Sequence, residues 1–174
     1  MNADVNGRIL VFTGDGKGKT TAALGLAFRA AGHGLRACVI QFIKARKDTG
    51  EMKAAERLGG NLEIIPMGAG FVTTPGGTES DRARAREALE RAWEKMRDCD
   101  LLVLDEIHCA IEAGLVGLAD VLDLLEHRPP GLHVVLTGRN APQELVDLAD
   151  TATNMTNLRH AGEHGTPAVR GIEF

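Results

Sequence analysis

The chain contains no tyrosine, and aromatic residues make up only 3% of its 174 positions. Platforms that stack single-stranded bases are built from aromatic side chains, so that mode of nucleic-acid binding is disfavoured. Positive charge is also short. The 20 Lys and Arg residues stand against 24 Asp and Glu, a formal charge of −4, whereas a general phosphate-backbone binder carries a basic surplus. Cysteine is scarce and odd in number. Cys38, Cys99 and Cys109 at unrelated spacings argue against a disulfide scaffold and for a reducing cytoplasm. No apolar run approaches the ~18 residues of a membrane span, and residues 1–8 lack the basic-then-apolar layout of a secretion signal. What is present is 44% hydrophobic and 25% charged residues, the ordinary mixture of a globular domain. The length suits one domain, 1–174, with enough chain to bury a core unaided.

Short apolar runs alternate with helical patterns. Residues 8–13, 37–42, 62–65, 101–104 and 133–137 read as buried strands, and 151–155 as a short sixth. Residues 20–31 are rich in Ala and Leu at helical spacing and stop at Gly32-His33-Gly34. In 79–98, Ala85, Ala88, Leu89, Ala92, Trp93 and Met96 share one face while charged residues fill the others, the pattern of a helix covering a sheet. Residues 118–126 and 142–149 read as further helices. Strand–helix–strand repetition demands long crossovers, hence a mainly parallel five- or six-stranded α/β sheet with helices on both faces. The glycine-rich stretch 67–78 is the best candidate for a ligand-shaping loop.

The sharpest motif is Thr13-Gly-Asp-Gly-Lys-Gly-Lys-Thr-Thr21, between a strand and a helix. Phosphate binding needs unpaired backbone N–H groups converging on one point, which a helix N-terminus supplies. Gly14, Gly16 and Gly18 let the backbone curl close to phosphate oxygens without a Cβ in the way. Lys19 reaches the outer phosphates, and the Thr20 hydroxyl can join a Mg²⁺ shell. The general pattern places Gly where this chain has Thr13. Downstream, Leu101-Leu-Val-Leu-Asp-Glu106 ends an apolar strand in two carboxylates suited to a metal or its water. The alternative for Asp105 is a helix cap at Ile107. His108 and Glu112 stand four apart and could bind zinc, but no third ligand is evident and a surface pair is expected. The remaining histidines and all three cysteines read as structural.

Taken in order, these motifs resemble the P-loop ATP:corrinoid adenosyltransferase family of the CobA, CobO and BtuR type. The resemblance runs through Gly14-Asp-Gly-Lys-Gly-Lys-Thr-Thr-Ala-Ala23, Gly32-His-Gly34, Val39-Ile-Gln-Phe-Ile-Lys44, Gly50-Glu51 and Met67-Gly-Ala-Gly-Phe71. It continues through Leu104-Asp-Glu106, Arg128-Pro129, Thr137-Gly-Arg139, Leu148-Ala-Asp150, His160 and Gly171-Ile-Glu173, nearly the whole chain. It implies a RecA-like fold and a reaction in which the cobalt(I) of a reduced corrinoid, cobalamin or cobyrinic acid a,c-diamide, attacks the 5′ carbon of ATP and triphosphate leaves. The nucleophile then belongs to the corrinoid, and no catalytic Ser, Cys or His is required of the protein. By resemblance ATP lies reversed in its loop. Gly14, Asp15, Gly16, Lys17, Gly18, Lys19, Thr20 and Thr21 meet the triphosphate, Thr20 and Glu106 hold Mg²⁺ or Mn²⁺, and Lys19 and Arg139 support the transfer. Lys44, Gly70 and Phe71 are the implied corrinoid contacts. A homodimer, a flavoprotein reductase as partner and a cytoplasmic setting are implied as well.

Two departures stand out. Where the family often reads Gly-Phe-Thr-Trp, this chain has Gly70-Phe71-Val72-Thr73. The family's Phe and Trp fill space below the corrin ring, displacing the lower axial ligand, and Thr73 lacks an indole's area. The segment before the first strand, 1–7, is also short, so a lid has to come from elsewhere or from a partner subunit. The competing functions are a P-loop ATPase or kinase cleaving the γ-phosphate and a non-catalytic ATP- and corrinoid-binding protein.

Overall fold

The computed structural model describes residues 6–46, 48–70 and 76–173, without the side chain of His164. Its six strands are β1 (Ile9–Thr13), β2 (Ala37–Gln41), β3 (Leu62–Pro66), β4 (Leu101–Asp105), β5 (His133–Thr137) and β6 (Thr151–Asn154). They form one sheet in the order β3-β2-β4-β5-β1-β6, and every pairing is parallel. The helices are α1 (Lys19–Gly32), α2 (Gly50–Arg57), α3 (Glu79–Lys95), α4 (Ile107–Glu112), α5 (Leu118–Glu126) and α6 (Gln143–Leu148). The expected sixth strand is present, and β5 and α5 have the expected bounds. The third helix ends at Lys95, so Cys99 lies beyond it.

Because successive strand residues face opposite sides of a sheet, the apolar runs divide between two cores. Cys38, Ile40, Leu102, Leu104, Val134 and Leu136 face one way and meet Ala85, Ala88 and Ala92 of α3, Ile107 of α4, Leu124 of α5 and Leu145 of α6. Val39, Val103 and Val135 face the other way, toward Ala23, Ala27 and Ala31 of α1 and Ala55 of α2. The three α1 alanines recur every four residues, so one small-residue stripe lies flat on the sheet. Trp93 sits on the α3 core face as expected, half-buried, its ring 5.9 Å from that of His127.

All-parallel strands carry their C-terminal ends to one edge, where α/β folds bind ligands. Here β1, β2, β4, β5 and β6 end at that edge in Thr13, Gln41, Asp105, Thr137 and Asn154. Among the described residues no helix is long and apolar enough to cross a membrane.

Candidate active site

A cavity of about 470 Å³ lies over this edge, lined by 15–21 of the glycine loop and by Leu24, Lys44, Gly50, Glu51, Glu106, Arg139, His160 and 171–173. The loop is built by close backbone approach. Gly14 (φ 96°) and Gly18 (φ 119°) occupy the left-handed region. A Cβ on Gly14 would come within 2.1 Å of Asn154 Oδ1, and one on Gly16 within 2.6 Å of the Met155 carbonyl oxygen. The Gly16 N–H donates to that carbonyl at 2.7 Å, so this amide anchors the loop to the segment after β6. Thr13, the departure from the general loop pattern, makes a local contact of its own, its Oγ1 accepting from Ala141 N–H at 3.1 Å.

Lys19 opens α1 and is buried. Its Nζ donates to the carbonyls of Gly14 at 2.6 Å and Gly16 at 2.7 Å, leaving one of an ammonium's three donors for an anion. No side chain caps α1 and no acid sits in its first turn, so its N–H groups and positive dipole end also serve an anion. Lys17 turns the other way. Its ammonium pairs with Glu173 at 2.5 Å and touches the Ile172 carbonyl at 3.4 Å, tying the C-terminal segment across the loop. Glu173 also accepts from Val169 N–H, and Lys17 followed by this bond holds its carboxyl below the ordinary range.

The two carboxylates after β4 divide their work. Asp105 is completely buried. Its Oδ1 accepts the hydroxyls of Thr20 at 2.7 Å and Thr137 at 2.8 Å, while its Oδ2 takes Gln41 Nε2 at 3.2 Å and lies 3.3 Å from Lys44 Nζ. It caps no helix by a side-chain bond. Glu106 follows in the left-handed region (φ 62°), its N–H donating to Thr137 Oγ1 at 2.9 Å. That turn lays Glu106 along the cavity, where Oε2 accepts the Cys109 thiol at 3.0 Å. Burial first, then Glu106, pushes that thiol up to about 12. Burial likewise raises Cys38 and Cys99 to about 12, so none of the three is a thiolate near neutral pH.

The expected surface pair of His108 and Glu112 does not form. His108 is fully buried, because Ile107–Glu112 packs this side of its helix under β5, with Nδ1 3.2 Å from the Gly138 carbonyl. Burial drives its pKa down to about 4. Glu112 instead accepts from Asn140 Nδ2 at 2.7 Å. Among the described residues no three His, Cys, Asp or Glu side chains gather as a metal cluster. Of the remaining expected site residues, Asp15, Thr21, Lys44 and Arg139 line the cavity. Gly70 does not line it, and its N–H donates to the Ile43 carbonyl at 2.9 Å beside Lys44. Phe71 and Thr73 lie outside the described residues. Sequence reading did not single out Gln41 or Thr137 as Asp105 partners, nor Glu51, His160 and Glu173 as cavity walls, although the last three stand in the motifs quoted above.

A family model described as "ATP:corrinoid adenosyltransferase BtuR/CobO/CobP" matches residues 5–174. The chain belongs to this family. A corrinoid adenosyltransferase of Pseudomonas aeruginosa is 39% identical over 98% of this chain and 85% of its own length. One from Escherichia coli K12 is 38% identical over 98% and 87%, and one from Sinorhizobium sp. is 38% identical over 98% and 82%. A solved structure, the flagellar accessory protein FlaH of Methanocaldococcus jannaschii, superposes with a TM-score of 0.55 at 13% identity, covering 86% of this chain and 71% of that one. It supports the RecA-like fold alone. Family membership favours adenosyl transfer over γ-phosphate cleavage.

Proposed function

We propose that the chain transfers the 5′-deoxyadenosyl group of ATP to the cobalt(I) of a reduced corrinoid and releases triphosphate. The observation that carries this reading is the cavity itself. Its lining joins an anion cradle to Glu106, Arg139, Lys44 and Gly50, and no cysteine is among those lining residues. In the reaction the cobalt(I) electron pair forms the Co–C5′ bond, the C5′–O bond breaks, and its electrons leave on the triphosphate. The protein's share is charge neutralisation, alignment and exclusion of water. Lys19 and the open amides of the loop and first α1 turn hold the triphosphate. Arg139, just past the end of β5, adds further positive charge to the cavity wall. Glu51, Lys44 and the C-terminal segment pinned by Lys17 and Glu173 also line the cavity.

The residues fit a divalent cation. The Thr20 hydroxyl spends its proton on Asp105, which turns its lone pairs outward. Glu106 Oε1 takes no hydrogen bond among the described residues, and a hard cation that keeps several waters needs few protein oxygens. Thr20 and Glu106 would hold Mg²⁺ or Mn²⁺, with Asp105 fixing Thr20. When bound, the ion offsets charge on the leaving triphosphate. A flavoprotein reductase as electron donor, a homodimer and a cytoplasmic setting complete the reading, carried by family resemblance rather than by geometry.

The test is an anaerobic reaction of the protein with ATP and chemically reduced corrinoid, identifying both products. Triphosphate with an equimolar cobalt–carbon adduct is expected; ADP and phosphate, or tight binding without an adduct, would overturn the proposal.

A further inference from the structure

The turn that follows β5 is stitched to α4 residue by residue. Thr137 Oγ1 accepts the Glu106 N–H at 2.9 Å, and the Gly138 carbonyl lies 3.2 Å from His108 Nδ1. The Arg139 N–H donates to Cys109 Sγ at 3.4 Å, and Asn140 Nδ2 donates to Glu112 Oε1 at 2.7 Å. The two backbones lie so close that a Cβ on Gly138 would stand 3.0 Å from the amide nitrogens of His108 and Cys109. Three of these contacts hold α4 and its entry turn against the sheet. The Arg139 contact does more, because Cys109 Sγ also donates its proton to Glu106 Oε2 at 3.0 Å. One half-buried sulfur thus joins two residues that line the cavity, Glu106 through its carboxylate and Arg139 through its backbone.

Glu106 needs such a hold. It is the N-cap residue of α4 in the left-handed region, and its side chain makes no cap bond. A carboxylate at an N-cap ordinarily turns to the free amides of the first turn. Cys109 stands three residues on, at the spacing that brings two side chains together on one helix face. A thiol is a weak donor and a weak acceptor at once. Here its acceptor side is taken by the Arg139 amide, its proton goes to Oε2, and Oε1 is left for a cation. We propose that Cys109 is a positioning residue: it fixes the Glu106 carboxylate toward the divalent cation and ties that carboxylate to the turn carrying Arg139. This deepens the proposed function and rests on its assignment of Glu106 to the cation.

The experiment measures how strongly the metal promotes nucleotide binding, as the Kd for ATP in EDTA divided by the Kd with saturating Mn²⁺. Both are read by calorimetry on the full chain without corrinoid, so no turnover is needed. Cys109→Ala and Cys109→Val remove the thiol, one leaving space and the other filling it, while Cys109→Ser keeps a donor and an acceptor. The expected ratio is about tenfold lower in the Ala and Val variants, the scale on which partners that orient a metal ligand act, and within about twofold of the unmodified chain in Cys109→Ser. In a Glu106→Gln background the ratio is already low, and adding Cys109→Ala should leave it unchanged, since a residue acting through Glu106 has no effect once that carboxylate is gone. A merely structural role would lower Tm and leave the ratio alone, or lower the ratio equally in both backgrounds; either result would overturn the proposal. So would a Glu106→Gln ratio equal to that of the unmodified chain, which removes the metal assignment without touching the product analysis of adenosyl transfer. If that product analysis finds no adduct while the ratios fall as expected, adenosyl transfer fails and the role of Cys109 toward the cation stands.

Discussion

At the scale of single residues, adjacent carboxylates of the same strand end have different physical roles. Asp105 is a buried acceptor for four donors, and an amide in its place must turn an NH₂ toward at least one of them. Asp105→Asn should therefore cost stability, on the order of 1–3 kcal/mol for a buried polar group left mispaired, visible as a lower Tm without ligand. Glu106→Gln keeps shape, loses only charge, and should leave Tm nearly unchanged while raising the Mg²⁺ concentration needed for half-maximal turnover about tenfold. Similar Tm losses in both variants, or a metal requirement shifted only by Asp105→Asn, would reverse the assignment. The Asp105–Glu106 pair was legible in sequence as an acid pair after an apolar strand, but the division of labour was not. Asp105 meets Thr20, Gln41 and Thr137 across separations of 85, 64 and 32 residues, contacts fixed by strand register, Gln41 opposite Asp105, rather than by local pattern. His108 was misplaced for a related reason: four-residue spacing says that two side chains share a helix face, not which way a short helix turns that face.

At the scale of elements, what sequence made legible were segments whose period is strong. The apolar runs gave β1 to β5, the exposed Thr151–Asn154 being read only as a short sixth, and the alanine stripe of α1 and the single apolar face of α3 gave those helices. The second helix, Gly50–Arg57, went unread because it is short and polar, with Ala55 its one buried residue. The fourth, Ile107–Glu112, hides behind a left-handed Glu106. The glycine loop was legible as a phosphate cradle, yet its dependence on β6 was not, since nothing in the motif says what it leans on. That dependence is testable. Gly16→Ala drives a Cβ against the Met155 and Thr156 backbone, so the loop must move away from β6, and overpacking of this kind costs ~1–3 kcal/mol. Weakening of ATP binding by about tenfold or more with an unchanged far-ultraviolet spectrum is expected; native affinity would show that the loop is free to shift. The C-terminal segment adds a second element-level expectation. Glu173 has its carboxyl pKa lowered in the folded chain, so the Lys17 tie is present above the ordinary carboxylate range and is lost as pH falls through the lowered value. Glu173→Gln should reproduce the acid state at neutral pH, with faster amide exchange at Val169 and a higher KM for ATP. Unchanged exchange at Val169 would mean the segment is held by other contacts.

For the whole molecule, a ligand that binds only the folded chain stabilises it by mass action, and the site lies where that coupling is strong. The triphosphate cradle joins β1, α1 and the segment after β6, while Asp105 links α1 through Thr20 to β2, β4 and β5. Filling the cradle should thus resist global unfolding rather than merely order a loop. At ATP about 100-fold above Kd, with Mg²⁺, the gain is ~2.7 kcal/mol, a rise in Tm of roughly 5–10 °C for a chain of this size. Lys19→Ala removes the buried ammonium that closes the loop on itself and reaches the anion, so its Tm without ligand should also change. The diagnostic quantity is the ATP-induced shift within each protein, which cancels that change. It should fall to near zero for Lys19→Ala at the same ATP concentration, and recover only in part at much higher concentration, because the amides of the first α1 turn remain. An equal shift in both proteins would place the nucleotide somewhere other than the Thr13–Thr21 loop, and with it would go the geometry on which the proposed transfer depends.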